Sequence, residues 1–530
     1  MTSPPFAPRC LCLDIETAFD DLLSIHKLAA WRADSKEGFS LAGQQIAAAV
    51  ERLDALTDGA AFVLGHNIVR HDLPALARVY PGLQLNQLPA VDTLELSPLT
   101  FPANPYHSLV KDYKLVRDAR NDPLKDAQLA LKLWQDQYAA LAALAVSSPD
   151  ELACHHFFLA RDTRGGVGSF FAKLRAAMPP KAGEVHAAVC RLAAGKVCPT
   201  HLAEILDAAL VHPAVGRAFS YVLAWLRVAG GNSVLPPWVR LQYPATTPQI
   251  EKLRATRCAD PACPYCTVHL DPGRELERYF GFSVFRPEPA NAAGGSLQED
   301  IVRAGYQHES LLAILPTGGG KSICYQLPAL SRHWRNGSLT VIVSPLQSLM
   351  KDQVDNLIKM GIYNAATLNG LLTMPERRDV LEKIRLGDAG IVLVSPEQFR
   401  NRAFVEAIRH RQIGAWVFDE AHCLSKWGND FRPDYLYVSR FIRERYARTA
   451  DERAPVSCYT ATAKREVIED IRSHFQDSLG IELRVFDGGH ERQNLHYEVM
   501  AVTKPEKQPL IHRLLEKEFG DAGKADRQGG

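Results

Sequence analysis

The chain of 530 residues is too long for one ordinary hydrophobic core, so roughly three or four domains are expected. Its 61 Lys and Arg balance 60 Asp and Glu, and a net charge of +1 means that any basic surface must be local. No apolar run reaches the ~18 residues that span a bilayer, and the start lacks a signal-peptide pattern. We therefore expect a cytoplasmic protein with no membrane partner.

The first predicted domain, residues 1–140, alternates short β-rich runs with a long helical pattern, which is typical of a small α/β domain. The run LCLDIET places Asp14 and Glu16 at the end of an apolar strand, where both side chains project from one face. Asp72 and Asp126, which lies at a predicted helix start, bring the carboxylates to four. Such a set repels itself unless cations bind, as in two-metal sites that cleave phosphodiesters.

The order and context of these acids, with the GHN that precedes Asp72, resemble the DEDD (DnaQ-like) 3′–5′ exonucleases over residues 8–140. The resemblance implies an RNase H-like fold in which the four acids bind Mg²⁺ or Mn²⁺. Asn121 stands where that family has its general-base histidine, and Asp122 stands where a sister subgroup has tyrosine. Three alternatives stay open: slow catalysis, another base such as His71 or His107, or loss of activity.

The middle of the chain divides into a helical, Ala-rich connector at 141–250, without recognisable chemistry, and a cysteine-rich segment at 251–272. Cys258, Cys263, Cys266 and His269 are spaced as four ligands in a tight turn, which is typical of tetrahedral Zn²⁺. The alternative is three free cysteines on a loop. A closed set of four protein ligands predicts a structural clip that joins the connector to the following domain.

Residues 273–500 resume strand–helix alternation with continuous apolar runs, which predicts a parallel sheet covered on both faces. The segment LLAILPTGGGKSICYQL reads strand, glycine-rich turn, helix, the context of a phosphate-binding loop. Leu315 stands where the general pattern has its first glycine. Lys321 would reach the β/γ oxygens of ATP and Ser322 would bind Mg²⁺. The candidate nucleotide-binding residues of the loop are Thr317, Gly318, Gly319, Gly320, Lys321 and Ser322.

Two carboxylates, Asp419 and Glu420, follow the apolar run IGAWVF, at the strand end where open α/β sheets bind ligands. Asp419 could hold Mg²⁺ through water and Glu420 could orient the attacking water, because phosphoryl transfer depends on metal charge and positioning. The alternative is a solvated acidic pair. The presence of Lys321 in the same predicted sheet favours the catalytic interpretation.

Six ordered motifs between 275 and 500 resemble the RecQ-type DNA helicases of superfamily two: YFGFSVFRP, LPTGGGKS, SPLQSLMKDQ, VSPEQF, DEAHCLSKWGNDFRPDY and TATA. The resemblance implies a RecA-like lobe that binds ATP, with His422 among its catalytic residues. It implies DNA contacts for 344–353 and 395–397, hence for Ser344, Gln353 and Ser395. It also implies that 460–462 couple the bound state of ATP to the affinity for DNA. It also assigns adenine recognition to Phe285, Arg286 and Gln298, the glutamine being delayed by an insertion, PEPANAAGGSL.

The loop at 424–435 mixes basic and aromatic residues, which suits phosphate contacts combined with base stacking. Its candidate DNA-binding residues are Lys426, Trp427, Phe431 and Arg432. A buried core hairpin is the alternative.

After about residue 500 we expect only the start of a second helicase lobe and a disordered tail at 501–530, since no G-R-x-G-R-like motif follows. Such a chain should bind ATP yet hydrolyse it poorly, because an arginine from a second lobe is worth roughly 10³ to 10⁵ in turnover. The sequence therefore predicts an ATP-dependent 3′–5′ DNA helicase acting on single-stranded or forked DNA in repair or recombination. A metal-dependent exonuclease with an accessory motor lobe and a non-catalytic, ATP-responsive DNA-binding scaffold are the alternatives.

Overall fold

The computed structural model describes residues 9–18, 21–103, 122–161, 166–229, 235–426, 431–446, 454–461, 464–489 and 498–519. The chain forms two compact units, Met1–Gly489 and His490–Gly530. The described part of the second unit contains helix α21 (Lys507–Phe519), in the stretch where the start of a second lobe was expected, whereas the tail expected to be disordered, from Gly520 on, lies outside the described residues.

The amino-terminal domain is built on a five-stranded sheet of order β3-β2-β1-β4-β5, in which β1, β2 and β3 are antiparallel and β1, β4 and β5 are parallel. Its elements are β1 (Cys10–Ala18), β2 (Asp21–Arg32), β3 (Glu37–Ala42), α1 (Ile46–Thr57), β4 (Phe62–Gly65), α2 (Asp72–Val79), β5 (Ala90–Asp92), α3 (Thr93–Thr100) and α4 (Pro123–Ser147).

The side chains of strand β1 point alternately to two buried faces of the sheet. Leu11 and Leu13 face the core beneath α1 and α2, whereas Cys10 and Cys12 join the core that contains Trp134 of α4. Helix α4 begins at Pro123, where the Asp122 side chain accepts a hydrogen bond from the backbone N–H of Leu124 at 3.2 Å. It runs on to Ser147, so the predicted boundary at residue 140 falls within a helix.

Seven helices follow in the described part of the connector: α5 (Pro149–Leu159), α6 (Gly166–Arg175), α7 (Ala182–Ala193), α8 (Pro199–Val211), α9 (Pro213–Leu226), α10 (Pro237–Gln242) and α11 (Thr246–Arg254). Helix α9 is the centre of this layer, with Phe219, Val222 and Trp225 all buried. These helices share one hydrophobic cluster with the α4 face of the first sheet. The connector therefore packs onto the amino-terminal domain.

The carboxyl-terminal domain of the first unit is a seven-stranded sheet of order β12-β6-β11-β10-β7-β9-β8, and every strand pair is parallel. It comprises α12 (Cys266–His269), α13 (Pro272–Phe280), α14 (Leu297–Tyr306), β6 (Leu311–Ile314), α15 (Lys321–Asn336), β7 (Leu339–Val343), α16 (Gln347–Lys359), β8 (Ala365–Leu368), α17 (Met374–Leu386), β9 (Ile391–Val394), α18 (Arg402–Arg409), β10 (Ile413–Phe418), α19 (Pro433–Tyr446), β11 (Val456–Thr460), α20 (Arg465–Leu479) and β12 (Arg484–Asp487), with α12 and α13 leading in from the cysteine-rich segment.

Two separate hydrophobic clusters cover the two faces of this sheet, which confirms the predicted parallel sheet buried on both sides. The central strands coincide with the apolar runs of the sequence. The edge strands β8 and β12 do not stand out in that pattern, and in β12 only Phe486 is buried.

Candidate functional sites

The glycine-rich turn connects β6 to α15 at the carboxyl end of the parallel sheet. Gly318 and Gly320 adopt φ angles of 84° and 80°, a region that side chains other than glycine rarely occupy. Leu315, which replaces the first glycine of the general pattern, is buried and donates its N–H to the Thr460 carbonyl at 3.0 Å. Leu315 thus extends the core and ties β6 to β11, while the loop proper begins after it.

Lys321, the first residue of α15, points across the sheet edge to the acidic end of β10. Its Nζ lies 3.4 Å from Glu420 Oε1, and both side chains are partly exposed. The other Glu420 oxygen lies 3.3 Å from Nδ1 of His422, and the same nitrogen lies 3.2 Å from Oγ1 of Thr460. Four residues from the phosphate-loop, DEAH and TATA motifs therefore form one connected polar group.

Asp419 is buried beside this group. Burial, followed by the neighbouring charge of Glu420, raises the pKa of Asp419 to about 6, against the opposing effect of Lys321. Glu420 itself has φ 49° and ψ 48°, a left-handed conformation that is unusual for a glutamate. The Asp419 carbonyl accepts a hydrogen bond from the Tyr435 hydroxyl at 2.9 Å, which fixes the turn from the far side.

The proposed adenine-recognition residues lie next to the phosphate loop. Gln298 is buried; its Oε1 accepts from the Arg286 N–H at 3.0 Å and its Nε2 donates to the Gly320 carbonyl at 3.1 Å. Arg286 also donates to the Gly318 carbonyl, and Phe285 is buried in the core beneath. Arg286 and Gln298 therefore remain in contact despite the insertion between them. Gln298 supports the glycine-rich loop through its hydrogen bond to Gly320.

The residues predicted to contact DNA fall into two groups. Ser344 and Ser395 are buried at the carboxyl ends of β7 and β9, and Gln353 accepts a hydrogen bond from the Tyr325 hydroxyl at 3.0 Å. In this conformation their side chains face the protein. The described part of the aromatic loop differs: Lys426 is exposed, whereas Phe431 and Arg432 are half-buried.

The half-buried arginine anchors that loop, since Arg432 donates to the Pro345 carbonyl at 3.0 Å and its N–H donates to the Cys423 carbonyl at 2.9 Å. Trp427 and Thr462 lie outside the described residues.

In the amino-terminal domain, Asp14 and Glu16 lie on the β1 face that packs on α4, near Asp126 of that helix. Burial and, after it, the charges of Asp72, Asp126 and Glu16 together raise the pKa of Asp14 to about 8. Asp72 is buried, and its carboxylate accepts the Ile15 N–H at 2.8 Å. The structure thus brings the four predicted acids into one electrostatic group.

Basic side chains already engage two of these acids. Glu16 Oε2 lies 3.0 Å from Lys27 Nζ and 3.3 Å from His26 Nε2. His71, one of the alternative bases, lies 3.5 Å from Asp72, and that contact raises the pKa of the His71 imidazole. Asn121 and His107 lie outside the described residues.

The cysteine cluster corrects one predicted ligand. The thiols that converge are Cys198, Cys258, Cys263 and Cys266, whose sulfur atoms all lie within 4.8 Å of one another. His269 is not among them, because its ring stacks on Trp334 with centroids 4.7 Å apart. Cys198 precedes helix α8 in a distant part of the chain, so local spacing could not reveal it; its position just before Pro199 at a helix start is the only local signal.

No helix among the described residues has the length and apolar character needed to cross a membrane.

Comparison with known proteins finds a family match within the carboxyl-terminal domain. Residues 296–471 match the DEAD/DEAH box helicase family. The chain is 36% identical over 234 residues to the ATP-dependent DNA helicase RecQ of Pasteurella multocida, which covers 44% of this chain and 33% of that protein. It is 34% identical to RecQ of Bacillus subtilis, covering 47% and 38%. It is also 34% identical to the ATP-dependent helicase SGS1 of Saccharomyces cerevisiae, covering 43% and 15%. The chain thus spans well under half the length of these relatives.

Proposed function

We propose that this chain carries the ATP-binding lobe of a RecQ-type DNA helicase, which unwinds DNA in the 3′–5′ direction during repair or recombination. The observation that carries the proposal is the placement of Lys321 at the start of α15, 3.4 Å from Glu420 and at the same sheet edge as Asp419. The match of 296–471 to DEAD/DEAH box helicases and the similarity to DNA helicases add support.

The chemistry follows from the side chains at this edge. Backbone N–H groups of the turn and the positive end of α15 attract polyphosphate, and Lys321 supplies a cation for its outer oxygens. Ser322 and Asp419 would hold Mg²⁺, whose charge stabilises the transferring phosphoryl group. Glu420 would orient the attacking water. Lys321 lies 3.4 Å from Glu420, so the phosphate oxygens of ATP would compete with Glu420 for this lysine.

The contact of His422 with both Glu420 and Thr460 suggests how the nucleotide could be sensed. Thr460 ends β11 and is the first residue of the TATA motif, while Glu420 precedes the basic and aromatic loop. A shift of Glu420 toward the phosphate would change the hydrogen bonding of His422 and, through it, of Thr460. Exposed Lys426 lies four residues beyond His422, close enough along the chain for such a shift to alter contacts with DNA.

The test is the binding of a fluorescent ATP analogue with Mg²⁺ to the chain, followed by ATP hydrolysis with and without forked DNA. Lys321→Ala should weaken nucleotide binding at least about tenfold, since it removes the cation that meets the phosphates. Lys383→Ala, an exposed lysine on α17, is the matched control and should bind as the wild type does. Equal affinity of the wild type and Lys321→Ala, or no ATP binding by the wild type, would refute the proposal.

A second candidate function is metal-dependent 3′–5′ exonuclease activity of the amino-terminal domain. It is favoured by the grouping of four carboxylates around Asp14, whose pKa is raised to about 8 by burial and then by the charges of Asp72, Asp126 and Glu16. The ion pairs of Glu16 with Lys27 and His26 oppose it, because a metal would have to displace them.

Degradation of a 3′ single strand with Mn²⁺, abolished by Asp14→Ala, is the decisive assay for this candidate. If neither nuclease nor ATPase activity appears while DNA affinity still changes with ATP, the chain acts as a nucleotide-responsive scaffold.

A further inference from the structure

Four cysteine thiols from two distant parts of the chain meet in a buried pocket between the connector and the carboxyl-terminal domain. Cys198 stands at the amino-terminal end of α8, Cys258 and Cys263 follow α11, and Cys266 begins α12. Cys198, Cys263 and Cys266 are fully buried, and Cys258 is 8% exposed. The sulfur atoms of Cys198 and Cys263 are 3.8 Å apart, as are those of Cys258 and Cys266.

These separations match a tetrahedral metal site rather than a disulfide framework. A disulfide requires sulfur atoms about 2.05 Å apart. Zn–S bonds of about 2.3 Å at a tetrahedral centre place the sulfur atoms about 3.8 Å from each other. Four thiolates also leave no open coordination position, which is the arrangement of structural zinc sites. We propose that Cys198, Cys258, Cys263 and Cys266 bind one Zn²⁺ ion.

A site of this composition carries a net negative charge, and the surrounding residues provide partial compensation. Arg257 follows α11 and donates to the Leu270 carbonyl at 3.1 Å, which places a guanidinium on the same short segment as the thiolates. The backbone N–H of Cys198 donates to the Leu253 carbonyl at 2.9 Å, which joins the start of α8 to α11. This contact holds Cys198 next to the segment that carries the other three cysteines.

The zinc segment would fix the far end of the phosphate-loop helix. Tyr265, between two of the ligands, donates to the Arg254 carbonyl at 3.1 Å. The Arg254 guanidinium donates to the carbonyls of Arg335 at 2.7 Å and of Trp334 at 3.0 Å, in the last turn of α15. A cation at a helix carboxyl terminus satisfies carbonyls that lack intrahelical partners and opposes the helix dipole.

His269, which local spacing had suggested as a ligand, instead takes part in this support through its stacking on Trp334. The proposed ion would thus join the connector to the helix that begins at Lys321.

Metal analysis of the purified chain, prepared without added zinc chelator, tests the assignment directly. We expect one zinc per chain, with X-ray absorption spectra that require four sulfur ligands at about 2.3 Å. Spectra that require a nitrogen or oxygen ligand in place of one sulfur would overturn the ligand set. A chain that neither contains zinc nor takes it up from solution would overturn the site. Because these measurements use the wild type, they do not depend on any variant folding.

Variants then test whether Cys198 or His269 is the fourth zinc ligand. After a challenge with a competing chelator, Cys198→Ser should lose its zinc, whereas His269→Ala and the control Cys190→Ser, an exposed cysteine on α7, should keep it. Zinc retention by Cys198→Ser together with loss in His269→Ala would reverse the assignment. Zinc removal should also lower the melting temperature of the wild type, while nucleotide binding by Lys321→Ala reports on the proposed function independently.

Discussion

Asp14 provides a quantitative test of the carboxylate cluster. The pKa of Asp14 lies at about 8 in the folded chain, above its usual 3.8, because the side chain is largely removed from water and lies near the charges of Asp72, Asp126 and Glu16. Between these two pH values the folded chain keeps a proton that the unfolded chain has released. The free energy of unfolding of this domain should therefore fall by about 1.4 kcal/mol per pH unit as pH rises from 4 toward 8.

Asp14→Asn removes this pH-dependent loss of stability, because asparagine has the same shape and can form hydrogen bonds but does not ionise. The full difference between the two pKa values corresponds to about 6 kcal/mol as an upper bound. Relaxation and water entry in real proteins reduce such values, and we expect about 3 kcal/mol. The variant should thus be more stable than the wild type at pH 8 by that amount and nearly equal to it at pH 4.

Hydrogen exchange measured by mass spectrometry on peptides that cover β1 gives the opening free energy of this domain at each pH. Glu51→Gln, an exposed acid on α1, is the control and should follow the wild type throughout. Mn²⁺ should stabilise the wild type more than Asp14→Asn if the carboxylates bind metal. The reasoning fails if the difference between Asp14→Asn and wild type is the same at pH 5 and pH 8.

Three further outcomes are expected. Gly320→Ala should weaken nucleotide binding, because the added Cβ would overlap Gln298 Nε2 and displace that side chain from the loop. Gly294→Ala, with the same φ of 80° and open space around it, should bind normally. Equal effects in a binding titration would contradict the role of Gln298 in supporting the loop. Arg254→Ala should lower stability by about 3 to 5 kcal/mol, since it removes a buried cation that donates three hydrogen bonds to carbonyls, seen as a lower melting temperature. Lys426→Ala should reduce the salt dependence of DNA binding by about one phosphate contact without changing ATP affinity, and an unchanged salt slope would exclude Lys426 from the interface.

The features that the sequence predicted well are those encoded by contiguous residues. The central strands of the carboxyl-terminal sheet are continuous apolar runs because both faces are buried, and the phosphate loop follows β6 directly. Asp419 and Glu420 follow β10 in the same way, so topology alone brings them to the edge where Lys321 lies. The edge strand β12 has one buried residue of four, and β8, although fully buried, consists of the small residues Ala365, Ala366 and Thr367 before Leu368, so neither strand gives a strong apolar run.

Features that depend on distant residues required the tertiary structure. The domain boundary predicted at residue 140 lies inside the continuous helix α4. The helix continues because the connector completes the core on one face of the first sheet. Gln298 reaches Arg286 despite the insertion, since the extra residues do not separate the two anchor points.

Cysteine spacing predicted a metal-binding segment but not its full ligand set. From the sequence alone came four features: a parallel α/β domain with a glycine-rich loop, the acidic strand end opposite it, a set of four amino-terminal carboxylates, and three clustered cysteines. Only folding brought Cys198 from the start of α8 to those cysteines and placed the His269 ring on Trp334. Local spacing limits which ligands can meet, whereas the packing of helices from distant parts of the chain decides which of them do.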